Sequence, residues 1–130
     1  MIDFNDVMRN LILTKTAITE RIGDRLWMER RTPAPGYKIS DGQAIVMYVR
    51  GGVEPDYNSI IFRYPYVVKM YGIDPLTCNQ LSGIYFDNLN NLAAQYVMRF
   101  YIDMPAQTVQ EPDTGWFYSL NYYTGIFRNG

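Results

Sequence analysis

Apolar residues at Phe4, Val7, Met8, Leu11 and Ile12 recur three and four apart, which draws one stripe along a helix. Asp3 stands where that helix needs an N-cap, and Asp6 suits the positive end of its dipole. Thr14 and Thr16 loosen the pattern, so a short second helical segment is expected over Thr16 to Ile22, stopped by Gly23 at the left-handed position past its end. The period then changes from helical to alternating. Leu26 and Met28 oppose Trp27 in a strand from Arg25 to Glu29, and a proline-bearing loop from Thr32 to Gly42 follows. Gln43 to Arg50 is apolar on both faces, which predicts a central strand covered on both sides.

The second half repeats the scheme. GGVEPDYN, residues 51–58, reads as a turn. Ile60, Phe62, Tyr64, Tyr66, Val68 and Met70 line one face of a long strand whose other face carries Arg63, Pro65 and Lys69; the proline predicts an edge or a bulge. Asp74 and Pro75 are an N-cap and first-turn proline, opening a helix to about Leu92 that buries Leu81, Ile84, Tyr85, Leu89 and Leu92. Gly83 inside it reads as a close approach to the sheet. Alternation returns from Tyr96 to Met104, residues 105–115 read as a connection, and Trp116 to Phe127 closes the chain as a last strand. The expected fold is α+β: a mostly antiparallel sheet of about five strands with two main helices on one face, in the order α-β-β-β-α-β-β. No linker or repeat divides the 130 residues, which predicts one domain over 1–130.

Composition changes the picture in one respect. Charged residues make up 19% of the chain, below the usual quarter, while there are twelve tyrosines and seven methionines. The arginines outnumber the three lysines among twelve basic residues. Tyr, Met and Arg are enriched where protein meets protein, and Tyr also suits strands; the two readings stay open together. A net charge of −1 gives no field to draw in nucleic acid or an anionic membrane. No apolar run is long enough to span a bilayer, and MIDFNDVMRN has neither the basic start nor the apolar centre of a signal peptide. A single cysteine, Cys78, predicts synthesis in a reducing cytoplasm.

Catalytic chemistry has little to work with. Histidine is absent, which removes histidine-based triads and the commonest metal ligand. No phosphate-cradling glycine loop or nucleophile elbow occurs. The acidic pairs, Glu54 with Asp56 and Asp24 with Glu29, lie in or beside turns. No catalytic, cofactor or metal residue is expected, and no cofactor. The most noticeable charge feature is Arg30-Arg31, held between a strand and Pro33. It reads as a solvated strand end or, more sharply, as guanidinium groups offered to a partner's carboxylates. Trp27, Arg50, Arg63 and Tyr101 join these two as candidate interface residues, and the loop from Thr32 to Gly42 is expected to take part in association.

The stretch Ile22-Gly23-Asp24-Arg25-Leu26-Trp27 after an N-terminal helix, then a proline loop, then AIVMYV, resembles the tail-terminator or tail-completion proteins of long-tailed bacteriophages. An aromatic strand, a second helix and the closing Asp113-Thr114-Gly115-Trp116-Phe117-Tyr118 extend the resemblance over nearly the whole chain. The second helix departs from that pattern, since it is not alanine-rich and carries Gly83 and the pair Tyr85-Phe86. The resemblance implies a non-enzymatic virion part made in the host cytoplasm and placed in the tail or neck. It implies a ring of this chain, hexameric in type, at the head-proximal end of the tail tube, touching the tail tube protein and the head-closure or connector protein. DNA would pass the lumen without specific binding, and no membrane is involved. Two other readings stand beside it: another neck component, or a small α+β enzyme or ligand-binding domain with an aromatic cleft.

Overall fold

The computed structural model describes residues 2–51, 54–55 and 60–128, with the backbone alone at Glu54, Pro55 and Pro105. Helix α1 spans Phe4–Leu13 and is capped by Asp3, whose Oδ1 accepts from the amides of Asn5 and Asp6 at 3.0 and 3.3 Å. Helix α2, Thr16–Ile22, ends where Gly23 adopts a φ of 59° and donates its amide to Thr19. Strand β1, Leu26–Met28, follows at once and pairs in parallel with β2, Ala44–Val49.

Strand β3, Glu54–Pro55, is a two-residue partner of the long strand β4, Ile61–Gly72. The turn expected over 51–58 otherwise lies outside the described residues. Helix α3, Pro75–Leu89, is opened by Asp74, whose Oδ1 accepts from both the amide and the hydroxyl of Thr77 at 2.7 Å. These bonds, the amide's first, hold its carboxyl below the usual value. Then come β5, Leu92–Ala94, β6, Val97–Gln110, and β7, Phe117–Arg128.

The strands form one sheet in the order β1-β2-β4-β7-β6-β5, with β3 beside β4, and every pairing but β1 with β2 is antiparallel. The expected α+β class and largely antiparallel sheet are present. Seven strands stand where about five were read, because β3 and β5 are too short to leave a pattern. All three helices cover one face. Met8, Ile12, Ile18, Ile22, Leu81, Tyr85 and Leu89 pack there against Ile45, Met47, Tyr66, Val68, Met70, Phe100 and Tyr123. Phe4 stacks on Phe127 with ring centroids 4.9 Å apart.

Several local expectations are corrected. Leu11 is only partly buried against this core. Helix α3 ends at Leu89, since Asn90 turns extended and Asn91 takes a φ of 61°. Residues 105–110 belong to β6; two register shifts, between Ile102 and Met104 and between Met104 and Gln107, break the period-two signal there.

Pro65 lies in a central strand, not at an edge. It sits at the last rung with β2, where its carbonyl accepts the Arg50 amide at 2.6 Å, so only one ladder donor is lost. Gly83 makes no close approach: a Cβ built there meets nothing within 4 Å. Tight sites lie elsewhere: at Gly42 against the Arg25 guanidinium, at Gly72, where a Cβ falls 3.0 Å from Cys78 Sγ, and at Gly125, where it falls 2.7 Å from the Phe127 ring.

The sheet's second face is covered at one end only. The loop from Thr32 to Gly42, read as exposed, turns Tyr37 and Ile39 inward over Ala44, Val46 and Tyr71. Tyr37 stands edge-on between Trp27 and Trp116, with centroids at 5.6 and 5.4 Å, and its hydroxyl donates to the Gly42 carbonyl at 2.6 Å. Burial pushes that hydroxyl up to about 12, against the pull of Arg25. Arg25 straps the loop from below, donating to the carbonyls of Gln43 and Arg21. The strand is therefore covered on both sides from Ala44 to Met47, as its pattern predicts, whereas Tyr48 and Arg50 run out onto an uncovered face.

Candidate assembly surface

Beyond the loop's cover, the second face of β2, β4, β7 and β6 is open. Register places side chains on it in rows across the strands. Tyr48, Val67, Tyr122 and Met104 form one row; Pro65, Thr124 and Tyr101 form the next. Period two puts Tyr48, Tyr118 and Tyr122 on this side, while Tyr64, Tyr66 and Tyr123 of the same strands belong to the helix-covered face.

Cations lie on those rings. The Arg31 guanidinium stands 4.6 Å from the Tyr48 centroid, Arg50 4.7 Å from Tyr122, and Arg99 4.4 Å from Tyr101. The Lys69 ammonium lies 5.1 Å from Tyr118 and 5.8 Å from Tyr48, and it donates to the Arg31 carbonyl at 2.9 Å. Burial lowers the Lys69 pKa, Glu111 opposes that shift and Arg31 adds to it. A cation above an aromatic face is attracted by the ring quadrupole, and the stack keeps a long arginine flat against the sheet.

Acidic groups near this face are already engaged. Glu111 accepts from the Tyr71 hydroxyl at 2.7 Å and from Thr114 at 3.1 Å. Burial, then that hydrogen bond, pushes the Tyr71 hydroxyl far up. Asp103 accepts from Thr124. The face thus offers a mosaic of flat aromatic area and guanidinium edges, the composition found where proteins dock.

Five of the six residues expected at an interface belong to this side of the sheet. Arg31, Arg50 and Tyr101 are in the stacks just described. Arg63 lies on the same face of β4, opposite Ile126. Trp27 is half-buried beneath Tyr37 at the covered end. Arg30 stands apart: it is exposed, and its Nε donates to the Thr32 carbonyl at 3.3 Å. Tyr48, Lys69, Tyr122 and Arg99 complete the surface and were passed over, although strand parity already grouped Lys69 with Arg63.

A second concavity runs between α3 and β6. It encloses about 570 Å³ between Asn79, Ser82 and Phe86 on one wall and Ile102, Asp103 and Ala106 on the other. Its polar floor is self-satisfied: Ser82 Oγ donates to Ser119 Oγ at 2.6 Å, and Asn121 Nδ2 donates to Ser82 Oγ at 3.2 Å. The groove holds one carboxylate, Asp103, where acid–base chemistry of the two-carboxylate kind needs a pair. Cys78 is buried with its Sγ 3.4 Å from the Phe117 carbonyl, and burial pushes its thiol up to about 11, so it is no nucleophile at neutral pH. Among the described residues no cluster of three metal-ligating side chains occurs, and no helix is long and apolar enough to cross a membrane.

No protein-family model matches this sequence, and no curated protein does so. Among solved structures, the chain is similar to one in the virion of a native gene transfer agent particle. The match has a TM-score of 0.63 and 9% identity, and covers 92% of this chain and 90% of that one. At that identity the two share a fold.

Proposed function

We propose that this chain is a structural component of a phage-like virion. In this reading it forms a ring, of the hexameric type, at the head-proximal end of a tail tube. The ring stops tube growth and presents a docking surface to the head-closure or connector protein. The observation that carries the reading is the fold shared, over nine-tenths of both chains, with a chain of a gene transfer agent virion. The sequence resemblance to tail-completion proteins supports it independently.

The surface chemistry is in keeping with a part that binds protein and turns nothing over. The open sheet face carries Arg31, Arg50, Arg63, Lys69 and Arg99 among the described residues, with Glu111 and Asp103 engaged by neighbouring hydroxyls. Such a face would hold phosphates, whereas a lumen that DNA slides through must not. We therefore assign it to contact with a neighbouring protein and not to the lumen.

The test is polymerisation of the tail tube protein with and without this chain, followed by negative-stain imaging. Capped tubes of shortened, uniform length with a ring at one end are expected. Uncapped tubes of unaltered length distribution would refute the assignment.

A further inference from the structure

Helix α3 turns a smooth stripe to solvent. Leu76, Gln80, Gly83 and Asp87 recur three and four apart along it, and all four are exposed. Leu76 is 66% exposed, and beside the stripe stand Ile73 at 69% and Phe86 at 40%. These are large apolar side chains that the monomer leaves uncovered. Gly83 lies in the middle of the stripe. Glycine is the poorest helix former after proline, and the monomer gains nothing from it here, since a Cβ would meet no atom within 4 Å. What a bare Cα does provide is room for another surface to come close to the helix from outside.

Charge selects the surface that comes. From Met70 to Met98 the sequence has no basic residue. The whole helix layer, residues 3–24 and 74–90, sets Asp3, Asp6, Glu20, Asp24, Asp74 and Asp87 against Arg9, Lys15 and Arg21. Two of those three cations are spent inside the monomer, Arg9 on the Leu26 carbonyl at 3.3 Å and Arg21 on Gln43 Oε1 at 3.2 Å. The open sheet face, on the other side of the molecule, has the opposite character. Among the described residues the guanidinium groups of Arg31 and Arg50 have no hydrogen-bond acceptor and no ion pair, only the rings of Tyr48 and Tyr122 beneath them. Lys69 adds a third positive charge beside Tyr48, and Met104, 49% exposed, ends the same row of side chains.

One side of the chain is thus acidic and apolar, the other cationic and aromatic. Their sizes match. A helix of 15 residues is about 22 Å long. The strands β2, β4, β7 and β6, at about 4.8 Å spacing, set their outer members about 14 Å apart. A contact between unlike sides of identical subunits is heterologous, the type that closes into a ring.

We propose that α3 of one copy, along Leu76, Gly83, Phe86 and Asp87, docks across the open sheet face of a second copy, with Asp87 brought to Arg31 and Arg50 and the aromatic row closing over Gly83. The proposal rests on the ring reading above and names the two surfaces by which the ring closes.

Sedimentation of the full chain, alone and on tail tube ends, tests it. Gly83→Ala should raise the monomer's melting midpoint and yet weaken association at least threefold; Gly83→Gln, which is bulkier, should weaken it at least tenfold. Asp87→Arg and Arg50→Glu should each weaken it at least tenfold. An equimolar mixture of those two variants matches opposite charges again at every contact, and should associate at least fivefold more tightly than either alone. Glycine variants that associate like the unaltered chain overturn α3 as the contact and leave the ring reading standing. A mixture no better than its parts overturns the pairing of α3 with the sheet face. Loss confined to Arg50→Glu, or duplex DNA that binds this face and competes with association, overturns the second copy as occupant. If the unaltered chain forms no ring alone or on tube ends, both readings fall. Should Asp87→Arg or Arg50→Glu fail to fold, the two glycine variants decide.

Discussion

The Arg50 guanidinium reaches across strand β4 to lie 4.7 Å from the ring centroid of Tyr122 in β7. Arg50 follows β2 and donates its amide to Pro65, so backbone and side chain together clamp three strands at the open face. Removing the guanidinium exposes the ring and frees the β2 end. Arg50→Ala should cost about 0.5–1 kcal/mol in chemical denaturation, the range for an exposed cation–π pair. Arg50→Lys should recover part of that, because charge remains while the flat stacking surface is lost. A cost near zero for Arg50→Ala would show the stack to be incidental.

Leu81 and Leu89 are fully buried beneath the sheet's helix-covered face, and truncation of either to alanine should cost about 2–5 kcal/mol. Leu11 differs. It lies on the margin of the same core, so Leu11→Ala should cost clearly less than either. Urea titrations of the three variants settle the order; equal losses at all three would mean that α1 is packed more deeply than its exposure indicates.

How much of this was legible in the sequence follows from the range of the interactions. Caps and stops are local, so Asp3, Gly23 and Asp74 announce helix ends and the structure has them there. Strand parity is local too, and it placed Tyr66 and Met70 in the core and Lys69 on the other face. What failed was set by distant partners. Pro65 looks like an edge residue until the Arg50 amide is seen at its carbonyl. Residues 105–110 look like a connection because bulges shift the alternation, and only pairing with β7 shows a strand. The stacks of the candidate surface depend on register between strands far apart in sequence. Parity could therefore name a face, but not match Arg31 to Tyr48 or Arg50 to Tyr122.

Glycine positions give a prediction of opposite signs. Gly83 is exposed within α3 and a Cβ there meets nothing, so Gly83→Ala should stabilise the monomer by about 0.5–1 kcal/mol through helix propensity. A Cβ built on Gly72 would fall 3.0 Å from Cys78 Sγ and 3.1 Å from its amide nitrogen, so Gly72→Ala should destabilise by about 1–3 kcal/mol through overpacking. Thermal melts of the two variants check the pair. Destabilisation by Gly83→Ala would mean that the helix at this point is strained in a way its open surroundings do not show.

Arg30 and Arg31 separate two jobs that adjacent residues of one type would be expected to share. Arg31 lies on Tyr48 and lends its carbonyl to Lys69, so part of its value is internal. Arg30 is exposed and bonds only the carbonyl two residues on, a contact of its own loop. Exposed side chains of that kind contribute within about 0.5 kcal/mol to folding, whereas a charge desolvated and paired across an interface costs about 2–5 kcal/mol when its partner is removed. Arg31→Ala should therefore lower monomer stability by about 0.5–1 kcal/mol, as expected for a lost stack, while Arg30→Ala leaves the melting midpoint unchanged. In tube-capping assays the ranking should reverse, with Arg30→Ala the more damaging and Arg30→Lys restoring only part of the activity, since an ammonium keeps the charge and loses the two-pronged donor. Full capping by Arg30→Ala at wild-type concentrations would return that arginine to the role of a solvated strand end.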